Sequence, residues 1–133
     1  VLRPLAVGPV HRLPLGEVDA SSAGEQLELE VTLVDANHVP GSVMFVFSGY
    51  FGNVLYTGDF RLHKDHAHLG AMPLLQRQGG QLARIFLDNT FCHPSFQQPT
   101  REEVAKELLK SLSCKWPALI FIAVYKLGKE PLL

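Results

Sequence analysis

The sequence predicts an α/β fold with a mixed β-sheet, and three patterns support this class. Residues 26–34 alternate apolar and polar side chains, which is typical of a half-buried strand. Residues 84–87 and 118–125 are nearly continuous apolar runs, which is typical of strands covered on both faces. Between these runs, Thr100 and Glu103 have the spacing of a capping box that begins a helix. Strands followed by a strand–helix–strand unit indicate the α/β class.

The elements follow in order along the chain. Residues 42–47 and 53–56 have strand character and flank the turn-rich segment 48–52, so we expect a β-hairpin there. After Thr100, apolar residues recur at helical spacing and predict an amphipathic helix; they are Val104, Ala105, Leu108, Leu109 and Leu112.

Composition limits the possible classes of protein. The chain has 133 residues, 47% of them hydrophobic and 19% charged, which excludes a disordered tail and is enough for one core. The formal net charge is -1 and does not indicate a polyanionic partner for the chain as a whole. Residues 1–36 are the more acidic part and residues 37–133 are mildly basic. Cys92 and Cys114 have neither disulfide-framework nor metal-site spacing, so we expect reduced thiols and an intracellular protein.

Three predicted strands end in residues that carry chemistry. His38 lies in the loop after the first of these strands, where Pro40 and Gly41 restrict the backbone. Asp59 follows the strand at 53–56 and Asp88 follows the strand at 84–87. Ligands in such sheets collect at strand ends, so we interpret these residues as candidates for one site. The alternative at each position is structural: a turn whose polar side chains cap backbone amides.

A second group of histidines is an alternative candidate for a metal site. Residues 63–68 read His-Lys-Asp-His-Ala-His, and tracts of this kind can bind metal ions. The tract lies in a polar loop bounded by glycine and no predicted strand presents it, so a solvated loop is the favoured interpretation. Arg61 has two interpretations, binding a phosphate or pairing with Asp59.

Longer motifs carry a family resemblance. Segments 35–45, 49–61, 87–90 and 125–130 are similar to the metallo-β-lactamase-fold DNA-repair nucleases, and in particular to their 5′-exonuclease branch. The resemblance implies a partial metallo-β-lactamase fold, with mixed β-sheets flanked by helices. Residues 1–82 would be the C-terminal part of the first metallo-β-lactamase half, and residues 83–133 the start of the nucleic-acid-specific insert.

The same resemblance implies a function and a role for each candidate. It implies a zinc-dependent 5′-to-3′ DNA exonuclease with two zinc ions, acting on DNA 5′ ends in the nucleus in DNA repair and telomere maintenance. His38 matches a metal-ligating histidine, and Asp59 matches the aspartate that bridges the two ions. Asp88 matches the acidic residue at the start of the insert, which supports the catalytic site. It implies no membrane partner, and no apolar run reaches the length of a membrane span.

The chain also departs from the family pattern. The family's His-x-His-x-Asp-His motif, which supplies most metal ligands, has no match in this sequence. Val39 stands where a cysteine is expected, and Lys126 where a serine is usual. A zinc ion in proteins takes about four ligands, so His38 and Asp59 are too few to hold one tightly. We therefore expect the chain to be a fragment or truncated product that is inactive alone.

Two other functions fit parts of the sequence. A catalytically dead remnant that acts as an interaction or structural module would also lack the first ligand motif. Hydrolysis of a thioester or lactam on the same fold is the third possibility. The Leu-Asp-Asn-Thr segment at 87–90 argues against that possibility, because it resembles the opening of the nucleic-acid insert.

Overall fold

The computed structural model describes residues 2–16, 27–62, 81–113, 119–123 and 129. These residues contain five strands and one helix: β1 (Val10–Pro14), β2 (Glu28–Asp35), β3 (Val43–Gly49), β4 (Gly52–Tyr56), β5 (Arg84–Phe86) and α1 (Arg101–Ser113). The chain divides into two compact units, Val1–Asp88 and Asn89–Leu133. The predicted division at 82/83 follows the family pattern and stays a prediction.

The five strands form one mixed sheet in the order β1-β2-β3-β4-β5. Neighbours from β1 to β4 are antiparallel, whereas β5 is parallel to β4. The predicted α/β class and mixed sheet are therefore confirmed. Within the part of the chain that the structure describes, no helix is long and apolar enough to cross a membrane.

The predicted hairpin is confirmed as β3 and β4. Gly49 pairs with Gly52, so the turn contains only Tyr50 and Phe51. Gly52 has a φ of 85°, a left-handed conformation that glycine adopts without a steric penalty. The turn fixes the register that places Val46 opposite Leu55.

The core of the first unit lies on the central strands. Val34, Ala36, Met44 and Val46 form a buried cluster, against which three partly buried side chains pack: Leu55, Phe60 and Leu82. On the opposite face of the sheet, the rings of Phe45 and Phe47 stack with centroids 5.8 Å apart. Burial on two faces explains why Val31–Val34 are all buried and why Thr32 does not face solvent as the alternation predicts.

Three predictions about strands need correction. β1 is a strand that the sequence pattern did not predict; it pairs with β2, with Val10 opposite Thr32. β5 is predicted to be covered, but among the described residues it pairs only with β4, at the edge of the sheet, and all three of its residues are exposed. Residues 119–123 form no strand, although the run 118–125 predicts one. An apolar run indicates a buried strand only where a second layer covers it, and both runs lie outside the central strands.

The predicted helix start is confirmed in the second unit. The Glu103 amide donates to Thr100 Oγ1 at 3.1 Å, and the Thr100 amide donates to Glu103 Oε2 at 2.8 Å. This reciprocal capping box satisfies two amides that the helix leaves without partners. None of the residues of α1 is fully buried, but three residues of its apolar stripe, Ala105, Leu108 and Leu112, are half-buried.

Candidate metal site

The strand order brings the three candidate residues to one end of the sheet. β3 is antiparallel to both β2 and β4, so β2 and β4 run in the same direction, and β5 is parallel to β4. His38 follows β2, Asp59 follows β4 and Asp88 follows β5. All three residues therefore lie at the same end of the sheet, beyond the carboxyl ends of β2, β4 and β5, which is where ligands bind in sheets with parallel strands.

A serine hydroxyl shapes the loop that carries His38. Ser42 Oγ accepts from the His38 amide at 3.3 Å and from the Val39 amide at 3.1 Å, and it donates to the Val39 carbonyl at 2.8 Å. The Ala36 amide donates to the Ser42 carbonyl at 3.0 Å and closes the base of the loop. Ser42 thus caps the backbone amides of this turn and fixes the backbone that carries His38.

Contacts between two loops fix the position of Asp59. The Arg61 amide donates to the Ala36 carbonyl at 2.9 Å. In the opposite direction, Asn37 Nδ2 donates to the Arg61 carbonyl at 3.4 Å. Asn37 adopts a φ of 52°, and its amide donates to Asp35 Oδ1 at 2.6 Å, the local hydrogen bond that makes asparagine tolerant of this conformation. The loops after β2 and β4 are therefore bound together through the backbone of Arg61, two residues after Asp59.

The two predicted ligands lie next to each other. His38 Nε2 and Asp59 Oδ2 are 3.9 Å apart, with the side chains 46% and 80% exposed. A tetrahedral zinc ion with ligands at about 2.0–2.2 Å holds two donors about 3.4 Å apart, so closure of about 0.5 Å would let both reach one ion. Imidazole nitrogen and carboxylate oxygen are both ordinary zinc ligands. The pair therefore fits part of a zinc site in chemistry and in separation.

The pair does not fit a complete site. Among the described residues, no group of three or more histidine, cysteine, aspartate or glutamate side chains is placed to hold a metal ion. The histidine tract at 63–68 lies outside the described residues. The described residues thus supply two donors, fewer than the usual four.

A hydrogen bond from its backbone amide holds Asp88 at the same end of the sheet. Its amide donates to Thr57 Oγ1 at 3.0 Å, and Thr57 lies two residues before Asp59. Asp88 does not complete a three-donor cluster with His38 and Asp59. Its assignment as a residue that supports the site stays a prediction.

Sequence reasoning missed the hydroxyl and amide side chains that hold these loops. Ser42, Thr57 and Asn37 form the hydrogen bonds described above, and none of them could be a strong ligand. The signal was present: each lies within two residues of a strand end, where hydroxyl and amide groups commonly bond to the backbone.

An open concavity lies elsewhere in the first unit. An open cleft of about 510 Å³ is lined mainly by the start of β2 and by the β3–β4 hairpin; its residues are Arg12, Glu28, Glu30, Ser48, Gly49, Gly52 and Asn53. This is the end of the sheet opposite His38 and Asp59. The cleft therefore does not include any candidate ligand.

Comparison with known proteins identifies the family. The chain is 43% identical over 132 residues to 5′ exonuclease Apollo of Mus musculus, and 41% identical over 136 residues to that of Gallus gallus. It is 49% identical over 96 residues to protein artemis of Homo sapiens. The chain is a homologue of Apollo and Artemis. The resemblance read from the four motifs is thereby confirmed, and the mixed sheet with one helix is consistent with a partial metallo-β-lactamase fold. No family model matches the chain.

The similarity covers nearly all of this chain and a small part of its relatives. The match to mouse Apollo includes 99% of this chain and 23% of the mouse protein. The match to human Artemis includes 70% of this chain and 13% of the human protein. The chain thus spans about a quarter of the length of the Apollo proteins it matches.

Proposed function

We propose that this chain forms part of a zinc-dependent 5′-to-3′ DNA exonuclease that works in the nucleus in DNA repair and telomere maintenance. The observation that carries the proposal is the 3.9 Å approach of His38 Nε2 to Asp59 Oδ2. Two residues separated by 21 positions in the sequence lie side by side, and they are the two that match family ligands. The printed name of the Apollo relatives, 5′ exonuclease, supports the reaction class.

The candidate residues have different proposed roles. His38 would present Nε2 as one ligand, and Asp59 would supply the carboxylate that the ions share. Zinc held by these and further ligands would supply Lewis-acid activation of water and would neutralise charge on the scissile phosphodiester. Ser42 and Thr57 hold the two loops, so that the donors are positioned before the ions and the DNA bind.

The number of metal ligands determines the activity that we expect of residues 1–133 as an isolated protein. Because the described residues supply two ligands, we expect the isolated chain to bind zinc weakly and not to hydrolyse DNA. The two-donor count also favours the second candidate function, a catalytically dead remnant that acts as an interaction or structural module. The two candidates differ in whether His38 and Asp59 still work when the remaining ligands are supplied.

A segment-replacement chimera separates these candidates. Residues 1–133 replace the matching segment of mouse Apollo, and the purified chimera is assayed on a 5′-phosphorylated single strand with and without a zinc chelator. We expect 5′-exonuclease activity that the chelator removes and added zinc restores. A folded chimera without activity would support the remnant. Zinc-dependent hydrolysis of the strand by residues 1–133 alone would contradict the inactivity of the isolated chain.

A further inference from the structure

A buried hydroxyl joins two of the strand ends at the candidate site. Thr57 is the first residue after β4 and is 2% exposed. Its Oγ1 accepts from the Asp88 amide at 3.0 Å and donates to the Gly58 carbonyl at 2.9 Å. A hydroxyl group can do both at once, since it has one donor and two lone pairs.

The two hydrogen-bond partners of this hydroxyl belong to Gly58, which precedes Asp59, and to Asp88 itself. Gly58 immediately precedes Asp59 and has a φ of 51°, so the chain turns sharply there. Asp88 lies two residues beyond the end of β5. One side chain therefore fixes the approach to Asp59 and the position of the Asp88 backbone.

The sheet itself does not require this hydroxyl. The Thr57 amide donates to the Phe86 carbonyl at 3.0 Å, which continues the β4–β5 ladder through backbone atoms alone. Valine at this position would keep that backbone bond, a β-branched shape and a buried side chain. It would lose the two hydroxyl bonds and would remove the hydrogen bond from the Asp88 amide to Thr57.

We propose that Thr57 is a positioning residue: its hydroxyl holds the loop of Asp59 against the start of the segment after β5, so that the Asp59 carboxylate faces His38. The expected effect of Thr57 on metal binding rests on the proposed function. The two hydrogen bonds by which the Thr57 hydroxyl connects the loops, called the joint below, do not rest on it, because both lie within the chain.

The first test measures the joint directly in the full chain of 133 residues. Thr57→Val, Thr57→Ser and Thr32→Val are compared by amide hydrogen exchange in NMR spectra. Thr32 is the matched control, since it is also a buried threonine but lies in the middle of β2. We expect the Asp88 amide of Thr57→Val to exchange about fivefold to tenfold faster, as the loss of one hydrogen bond implies. Thr57→Ser and Thr32→Val should leave the exchange of this amide unchanged.

The second test asks whether the joint positions the ligand pair. Cobalt(II) alone is titrated into each variant, and its paramagnetic effect on the His38 and Asp59 signals gives an apparent affinity. We expect Thr57→Val to weaken this affinity severalfold, while Thr57→Ser restores it and Thr32→Val does not change it.

The outcomes distinguish this inference from the proposed function. If the Asp88 amide exchanges equally fast in Thr57→Val and in the unsubstituted chain, the inferred joint is wrong. If these two proteins bind cobalt with equal affinity, the positioning role is wrong. If Thr57→Val does not fold, as the amides of β2 and β3 would show, Thr57→Ser decides: fast exchange at Asp88 in a variant that keeps the hydroxyl overturns the inference. Absence of any cobalt effect on the His38 and Asp59 signals of the unsubstituted chain would contradict the assignment of these two residues as a metal-binding pair and overturn the positioning role. The exchange comparison would still decide whether Thr57 joins the two loops, and the chimera decides the proposed function.

Discussion

The two ends of the sheet are built differently. At the end with His38 and Asp59, long connections leave the strands. Side-chain amide and hydroxyl groups bond these connections to one another, and Ser42 fixes the turn within one of them. At the opposite end, β3 and β4 are joined by a two-residue turn, and the neighbouring cleft is lined by charged residues of β1 and β2 and by polar and glycine residues of the hairpin. The open cleft thus lies at the end with the short turn. The candidate site is distinguished by the hydrogen bonds that fix its loops.

The largest expected effect concerns the ligands themselves. In the mouse Apollo chimera, Asp59→Asn should lower kcat more than about 100-fold, because even residues that only support metal ligands cost 10–100-fold. His63→Ala is the control from the histidine tract, and Arg12→Ala is the control from the cleft. Exonuclease kinetics on a 5′-phosphorylated strand measure all three. Equal losses from Asp59→Asn and His63→Ala would show that the site is assigned wrongly.

The next effect compares the centre of the sheet with its edge. Val46 is completely buried in β3, whereas Ile85 in β5 is 54% exposed. Val46→Ala should lower the free energy of unfolding by about 2 kcal/mol, since it removes two buried methyl groups and leaves a cavity. Ile85→Ala should cost less than half as much, because the removed atoms already face solvent. Urea unfolding followed by circular dichroism measures both. An equal loss at the two positions would mean that β5 is covered in solution.

These two regions show what the sequence could predict. The hairpin, the capping box and the three strand ends are local patterns, and each was predicted correctly. The 3.9 Å approach of His38 to Asp59 depends on the order β2-β3-β4, which no local pattern records. β1 was missed for a similar reason: its five residues include polar side chains and Pro14, and they become a strand only by pairing with β2. The exposure of β5 depends on which chain segments cover it, which its own three residues cannot show.

A smaller effect is expected from the serine that shapes the His38 loop. Ser42→Ala removes the hydroxyl that bonds to the His38 and Val39 backbone groups, at a cost of about 1–2 kcal/mol. We expect faster amide exchange at His38 and Val39 and weaker cobalt binding, with no change at the hairpin turn. Ser48→Ala, a buried serine near the opposite end of the sheet, is the matched control. Weaker cobalt binding in Ser48→Ala than in Ser42→Ala would reverse the comparison between the two ends.

The smallest effect concerns the second unit. Thr100→Ala removes one half of the capping box and should destabilise α1 by about 1 kcal/mol. Glu103→Gln should have little effect, since glutamine also serves at this position of a capping box. The helical circular dichroism signal and the amide exchange of the first turn measure the difference. A loss as large in Glu103→Gln as in Thr100→Ala would show that charge near the helix start, and not the reciprocal hydrogen bonds, stabilises α1.

The central claim is that one cation is shared by His38 and Asp59, and a zinc titration tests it most directly. The chain is labelled with ¹⁵N at histidine and ¹³C at aspartate carboxyl groups, in a background where His63, His66 and His68 are alanine. The account predicts that the signals of His38 Nε2 and the Asp59 carboxyl group shift together with one affinity. It also predicts that either His38→Ala or Asp59→Asn removes the shift at the remaining partner, while His93→Ala leaves both unchanged. Zinc shifts at His38 that persist with the same affinity in Asp59→Asn would contradict the shared site.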